Sequence, residues 1–149
     1  MGDGGFGFET SIDAGYSIIR NLALRTRLRG GLFFPDDDGP FGKDKSFEVG
    51  TFGLGADYYL MPISVYAGLT LNVGGVRFSE LETHETHLSR AGVGFDLDIG
   101  KEWLVSRVWG FGVAVRFSYL SVAPANIAPA SPGRLDTMTS SLLFSATAN

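Results

Sequence analysis

Residues 22–31 read LALRTRLRGG and carry three arginines spaced two residues apart. Arg25, Arg27 and Arg29 alternate with leucine and threonine. Because side chains on a β-strand point to opposite faces in turn, this period of two predicts a strand with one charged face and one apolar face. The class of protein depends on which of these two faces lies in the interior.

The same period of two recurs along all 149 residues, and helical periodicity is found in no segment. This succession predicts an all-β fold, an antiparallel up-and-down barrel that forms a single domain over residues 1–149. The predicted strands are seven, at residues 5–18, 22–34, 46–60, 63–79, 87–103, 108–121 and 137–149.

The connections between these strands alternate in length. Tight turns are predicted at Arg20–Asn21, Met61–Pro62 and Ser106–Arg107. The other three connections are long and polar, and they cover residues 35–45, 79–87 and 121–136. Short turns at one end and long loops at the other are typical of outer-membrane barrels, whose long loops are extracellular.

The composition excludes several classes of protein. Hydrophobic residues make up 44% of the chain and charged residues 19%, which argues against disorder. The net charge of −4 argues against a nucleic-acid partner. The absence of cysteine excludes disulfides and thiolate metal sites. No run of about 18 apolar residues could form a transmembrane helix.

Glycine is concentrated on the polar face of the predicted strands, for example at Gly53, Gly55, Gly92 and Gly94. Glycine weakens a strand and contributes nothing to a face that meets water. In the narrow interior of a small barrel, however, glycine makes room for long side chains opposite. The glycines therefore favour a barrel whose polar face points inward.

The polar faces also carry five acidic and five basic side chains, a balance that suits a closed interior in which charges pair. We predict that this set forms a salt-bridge network that plugs the lumen, with Glu9 and Asp13 as partners of the arginines on residues 22–31. The set is Glu9, Asp13, Arg25, Arg27, Arg29, Asp57, Arg90, Asp96, Asp98 and Arg116.

The apolar faces have the features expected of a surface in contact with lipid. Their only charged residues are Glu48, Arg77 and Lys101, each close to the end of a predicted strand. Aromatic side chains cluster near strand ends, as in the interfacial girdles of membrane barrels. The predicted interfacial aromatics are Tyr16, Tyr58, Trp103, Trp109 and Tyr119.

In this architecture, rather than in any motif, nearly the whole chain resembles the small eight-stranded outer-membrane barrels of the OmpA-like and OmpX-like group. The resemblance implies a bacterial outer-membrane location and a lipid bilayer with lipopolysaccharide as partner. The polar loops and the filled lumen predict a structural or adhesive, non-enzymatic role without a cofactor. Single-chain bacterial barrels have an even number of strands. We therefore expect that one ascending strand, preceding Met1, is missing, which leaves a seam open to another chain or copy.

Two other functions remain open at this stage. A soluble lipocalin-like barrel would place the apolar face inside and bind an apolar ligand. A narrow outer-membrane conduit would use the lumen as a path. His84 and His87 are weak candidates for metal binding, because two histidines three residues apart in a loop are more often solvated than ligating. His87 and Ser89 give thin grounds for catalysis.

Overall fold

The computed structural model describes residues 5–35, 45–80, 86–88, 91–106, 109–123 and 135–148. Its strands are β1 (Gly5–Ile19), β2 (Leu22–Pro35), β3 (Lys45–Leu60), β4 (Val65–Glu80), β5 (Thr86–Leu88), β6 (Gly92–Leu104), β7 (Trp109–Val122) and β8 (Leu135–Ala148). The fold is all-β, as predicted. Within these ranges, no helix is long and apolar enough to cross a membrane.

Seven long antiparallel strands follow one another in the order β1-β2-β3-β4-β6-β7-β8 and form a nearly closed up-and-down barrel. The tight connections after β1, β3 and β6 lie at one end, here called the turn end. The opposite end, where β2 ends at Pro35 and β3 begins at Lys45, is called the loop end. β1 and β8 both run from the loop end to the turn end, and in the described ranges no backbone pairing joins them.

The predicted strand at 87–103 is divided into two pieces. β5 pairs with β4 in one register, with Leu88 opposite Arg77. β6 pairs with the same strand in a register shifted by one residue, with Gly92 opposite Gly74. β5 and β6 are therefore separate strands, because their pairings with β4 differ by one residue in register.

The three long connections are shorter than predicted, because strand pairing continues into their ends. β4 continues to Glu80, and Thr86 already belongs to β5, so both ends of the predicted loop at 79–87 are strand. Pairing likewise includes Pro35 and Lys45, and it extends β7 to Val122. The turn after β3 spans residues 61–64, so β4 begins two residues later than predicted. Residues 36–44, 81–85 and 124–134 lie outside the described residues.

The two faces of the barrel differ as the alternation predicts. On β2, Leu24 and Leu28 point outward and are more than half exposed, whereas the side chains of Arg25, Arg27 and Arg29 are buried inside. The same division holds on β6, where Asp96 and Asp98 are fully buried and Leu97 and Ile99 are exposed. The charged face of residues 22–31 is therefore the interior face of the barrel.

Glycine on the interior face makes room for the charged side chains. Gly68 on β4 lies opposite Asp57 on β3. A Cβ atom on Gly68 would overlap the Asp57 carboxylate and would stand 3.1 Å from an Nη of Arg25. On the outer face, in contrast, a Cβ on Gly50 would meet nothing within 4 Å.

We expect Gly68→Ala to lower the free energy of unfolding by about 1–3 kcal/mol, because the added methyl group displaces a buried ion pair. Gly50→Ala is the matched control and should change it by less than about 0.5 kcal/mol. Urea titration followed by tryptophan fluorescence measures both. Equal effects of the two substitutions would contradict the packing described for Gly68.

Candidate functional site

A network of ion pairs occupies the middle of the barrel interior, and Asp98 on β6 lies at its centre. Its carboxylate accepts hydrogen bonds from Arg25 at 2.7 Å, from Arg27 at 2.8 Å and from Arg116 at 2.6 Å. Asp98 and Arg116 lie opposite each other on neighbouring strands, whereas the two β2 arginines reach Asp98 across the barrel. One buried carboxylate thus links three strands.

Three further carboxylates also pair with the β2 arginines. Asp13 on β1 accepts two hydrogen bonds from Arg27, at 2.8 and 2.9 Å, a bidentate geometry that strengthens a charge-assisted bond. Asp96 lies 3.1 Å from Arg29 and 3.4 Å from Arg27. Asp57 lies 3.0 Å from Arg25. Arg29 also donates a hydrogen bond to the hydroxyl of Ser118. Each arginine of residues 22–31 therefore contacts at least two carboxylates or hydroxyls.

Glu9 carries the network to the gap between β1 and β8. Its carboxylate pairs with Arg116 of β7 and lies 3.7 Å from Arg29 of β2. Ser141 of β8 donates a hydrogen bond to the same carboxylate at 3.3 Å. Although Glu9 belongs to an edge strand, its side chain is only 5% exposed. Side chains therefore connect the two edges where the backbone does not.

Nine of the ten charged residues predicted for the interior take part in this network, and Arg90 lies outside the described residues. The pairs predicted between β1 and β2 are present as Arg27–Asp13 and Arg29–Glu9. Sequence reasoning did not assign Asp96 and Asp98 as partners of the same arginines. Their strand is distant in sequence from β2, and local spacing carries no signal for contacts across a barrel.

The structure describes one of the two weak metal candidates, and only its backbone. His84 lies outside the described residues. The backbone of His87 lies in β5, where it pairs with Phe78 of β4 beyond the charged layer.

An apolar cluster lies inside the barrel on the loop side of the ion pairs, and sequence reasoning missed it. The aromatic rings of Phe33 and Phe47 stack there at 5.2 Å between centroids. The sequence does contain a signal for this cluster. Its residues continue the series of alternate positions whose side chains face inward, and that series is polar farther along each strand. The cluster consists of Val49, Val76, Leu120 and Val122, with Phe33 and Phe47 packed against them.

A chamber of about 1030 Å³ lies on the turn side of the ion pairs. The tyrosine rings of Tyr59 and Tyr66 lie in it, 5.5 Å apart, together with the half-buried Glu102. Residues from both faces of β1 and of β8 line the chamber, which places its opening between these two strands. Among the described residues, the interior thus holds an apolar cluster on the loop side of the ion pairs and a chamber on the turn side.

The outer face carries the predicted aromatics. Tyr16, Tyr58, Trp103 and Trp109 lie toward the turn end and are at least half exposed. Tyr119 lies toward the loop end, and its hydroxyl donates to Asp136 at 3.0 Å.

Charged side chains of the outer face lie toward the strand ends. Glu48 and Arg77 face each other at 4.0 Å near the loop end. Lys101 lies 5.7 Å above the ring of Trp103 near the turn end.

Comparison with known proteins identifies no relative of this chain. No family model, no curated protein and no solved structure matches it.

We expect Asp98→Asn to lower the free energy of unfolding by about 3–5 kcal/mol, because it leaves buried guanidinium groups without their shared carboxylate. Asp13→Asn is the control. Its side chain is 34% exposed and pairs with one arginine, so we expect less than half of that loss. Urea titration compares the two variants. An equal loss in both would contradict the central position of Asp98.

Proposed function

We propose that this protein is a β-barrel that spans a bacterial outer membrane, with lipid and lipopolysaccharide as its surroundings. The observation that carries the proposal is the outward-facing band of exposed apolar side chains around a charged interior. Every long strand contributes to this band, for example through Ile12, Leu28, Leu54, Leu71 and Phe117. Contact with water would leave this large apolar surface unburied, whereas contact with lipid satisfies it.

The charges on the outer face set the height of the band. Lys101 is paired with Val65, the first residue of β4, and Arg77 lies near the other end of the same strand. Between these levels the outer face of β4 is uncharged. The interval of about 12 residues is roughly 40 Å along the strand, or roughly 30 Å across a membrane at the usual strand tilt. This height matches the hydrocarbon core of a bilayer.

The interior favours a structural or adhesive role over conduction. The ion pairs between β2, β6 and β7 cross the lumen, and the apolar cluster lies between them and the loop end. Ions would have to separate buried pairs in order to pass. We therefore propose that the barrel anchors its long loops at the cell surface without forming a pore and without enzymatic activity.

A soluble barrel with an apolar ligand in its core has less support. Such a barrel needs an apolar interior, and here the middle of the interior is occupied by paired charges such as Arg27 and Asp98. The apolar cluster at the loop end is already filled by its own aromatic rings.

We expect Leu71→Arg, in the middle of the outward band, to destabilise the barrel in phospholipid vesicles by about 2–4 kcal/mol. Ile63→Arg, in the exposed turn after β3, is the control and should cost at most about 1 kcal/mol. Reversible unfolding in urea with vesicles present measures both. A barrel whose outer face meets water would tolerate the two substitutions equally and would fold as a monomer without detergent.

We expect the purified protein to insert into planar bilayers without conductance steps, because its ion pairs and apolar cluster block the lumen. A general porin measured in the same bilayers is the positive control. Stable, uniform steps would contradict the closed lumen and favour a conduit. The folded barrel should also migrate differently on a gel before and after boiling.

A further inference from the structure

In the part of the chain that the structure describes, the two end strands of the barrel, β1 and β8, are each paired on one side only, and they run in the same direction. β1 is paired on one side with β2, and β8 is paired on one side with β7. Both descend from the loop end to the turn end. Because every other neighbouring pair in the barrel is antiparallel, direct pairing of β1 with β8 would break the alternation. One strand that ascends between them would be antiparallel to both.

We propose that this seam is a docking site for a single ascending β-strand supplied by a partner polypeptide. The strand would form backbone hydrogen bonds with β1 on one side and with β8 on the other. This step rests on the proposed membrane location, because lipid cannot satisfy the free N–H and C=O groups of two exposed edges.

A second copy of the chain does not provide the required strand. Among the long strands that the structure describes, copies inserted in the same orientation present β1 and β8 as their unpaired edges, and both of these descend. They could meet only in parallel, against the alternation of all the other long strands. The occupant is therefore a strand of opposite direction, distinct from the strands β1–β8.

The chamber defines the chemistry of the inward face of that strand. The chamber opens between β1 and β8, so a docked strand would form its missing wall. Small side chains on the inward face of that strand would leave Tyr59 and Tyr66 in their present positions. Among the interior residues that the structure describes, six acids accompany four arginines: Glu9, Asp13, Asp57, Asp96, Asp98 and Glu102 with Arg25, Arg27, Arg29 and Arg116. Arg20, also on the lining, is exposed at the turn.

Two of these acids indicate where a basic side chain would bind. Glu102 lines the chamber and forms no ion pair within 4.0 Å in the part of the chain that the structure describes. Asp13 belongs to the edge strand itself and is one third exposed. The preferred strand therefore alternates apolar outward residues with small inward residues and carries one inward arginine or lysine.

A peptide with the sequence of β7, WGFGVAVRFSYLSV, is a suitable probe. This sequence already pairs antiparallel with β8 on its other side, and its inward residues are small at one end and include one arginine. Hydrogen exchange of the protein in detergent micelles is measured with and without the peptide. We expect amides in both β1 and β8 to exchange at least ten-fold more slowly with it, while β3, paired on both sides, is unchanged.

The matched control is the same peptide with its arginine replaced by glutamate, which should bind at least ten-fold more weakly. Protection of neither edge, protection of only one edge, or equal binding of the two peptides would overturn the proposal. Edge protection that accompanies dimer formation without any peptide, seen by sedimentation, would overturn it in favour of a second copy.

A tethered version keeps the test decisive if the peptide aggregates. The same strand is fused ahead of residue 1 through a flexible linker. Because β1 begins at the loop end, where an ascending strand would finish, the linker has to span only that end of the seam. We expect the same protection of β1 and β8, and its absence would overturn the proposal. Vesicle insertion is measured separately, so a barrel that inserts but protects neither edge contradicts the seam alone. A water-soluble barrel that still accepts the strand contradicts only the membrane location.

Discussion

The shared ion-pair contact between the Asp98 carboxylate and three guanidinium groups is the interaction on which the rest of this barrel depends. It joins β6 to its neighbour β7 and, across the interior, to β2. A slip of one residue in the pairing of β2 would turn its arginines outward and its leucines inward. Burial of the ion pairs and exposure of the apolar band therefore require the same register, and each reinforces the other.

The interior varies along the barrel axis, and this variation has a functional meaning. The apolar cluster lies toward the loop end, the ion pairs occupy the middle, and the chamber lies toward the turn end. An interior crossed by ion pairs and an apolar cluster fits the proposed display of loops better than transport of solutes. The chamber lies beside β1 and β8, the two long strands that are paired on one side only in the described residues.

Side chains compensate in part for the open seam. Glu9 on β1 contacts Arg116 of β7 and Ser141 of β8, so it spans the gap from inside. Its burial removes these charges from water, which strengthens their attraction but also requires each of them to have a partner. The network thus holds the edges in a fixed relation that a docking strand would meet as a prepared site.

The sequence by itself determined the long strands, their two faces and most of the interior charges, because alternation is a local property that each strand displays alone. It did not show that β5 is separate from β6. It also determined the balance of charge that makes a closed interior possible. Only the tertiary structure decided that Asp98 is shared by three arginines, that Val49 and Leu120 form part of an apolar cluster, and that Gly68 lies against Asp57. Curvature of the sheet creates these contacts by bringing together strands that are far apart in the chain, and strand periodicity contains no information about that distance.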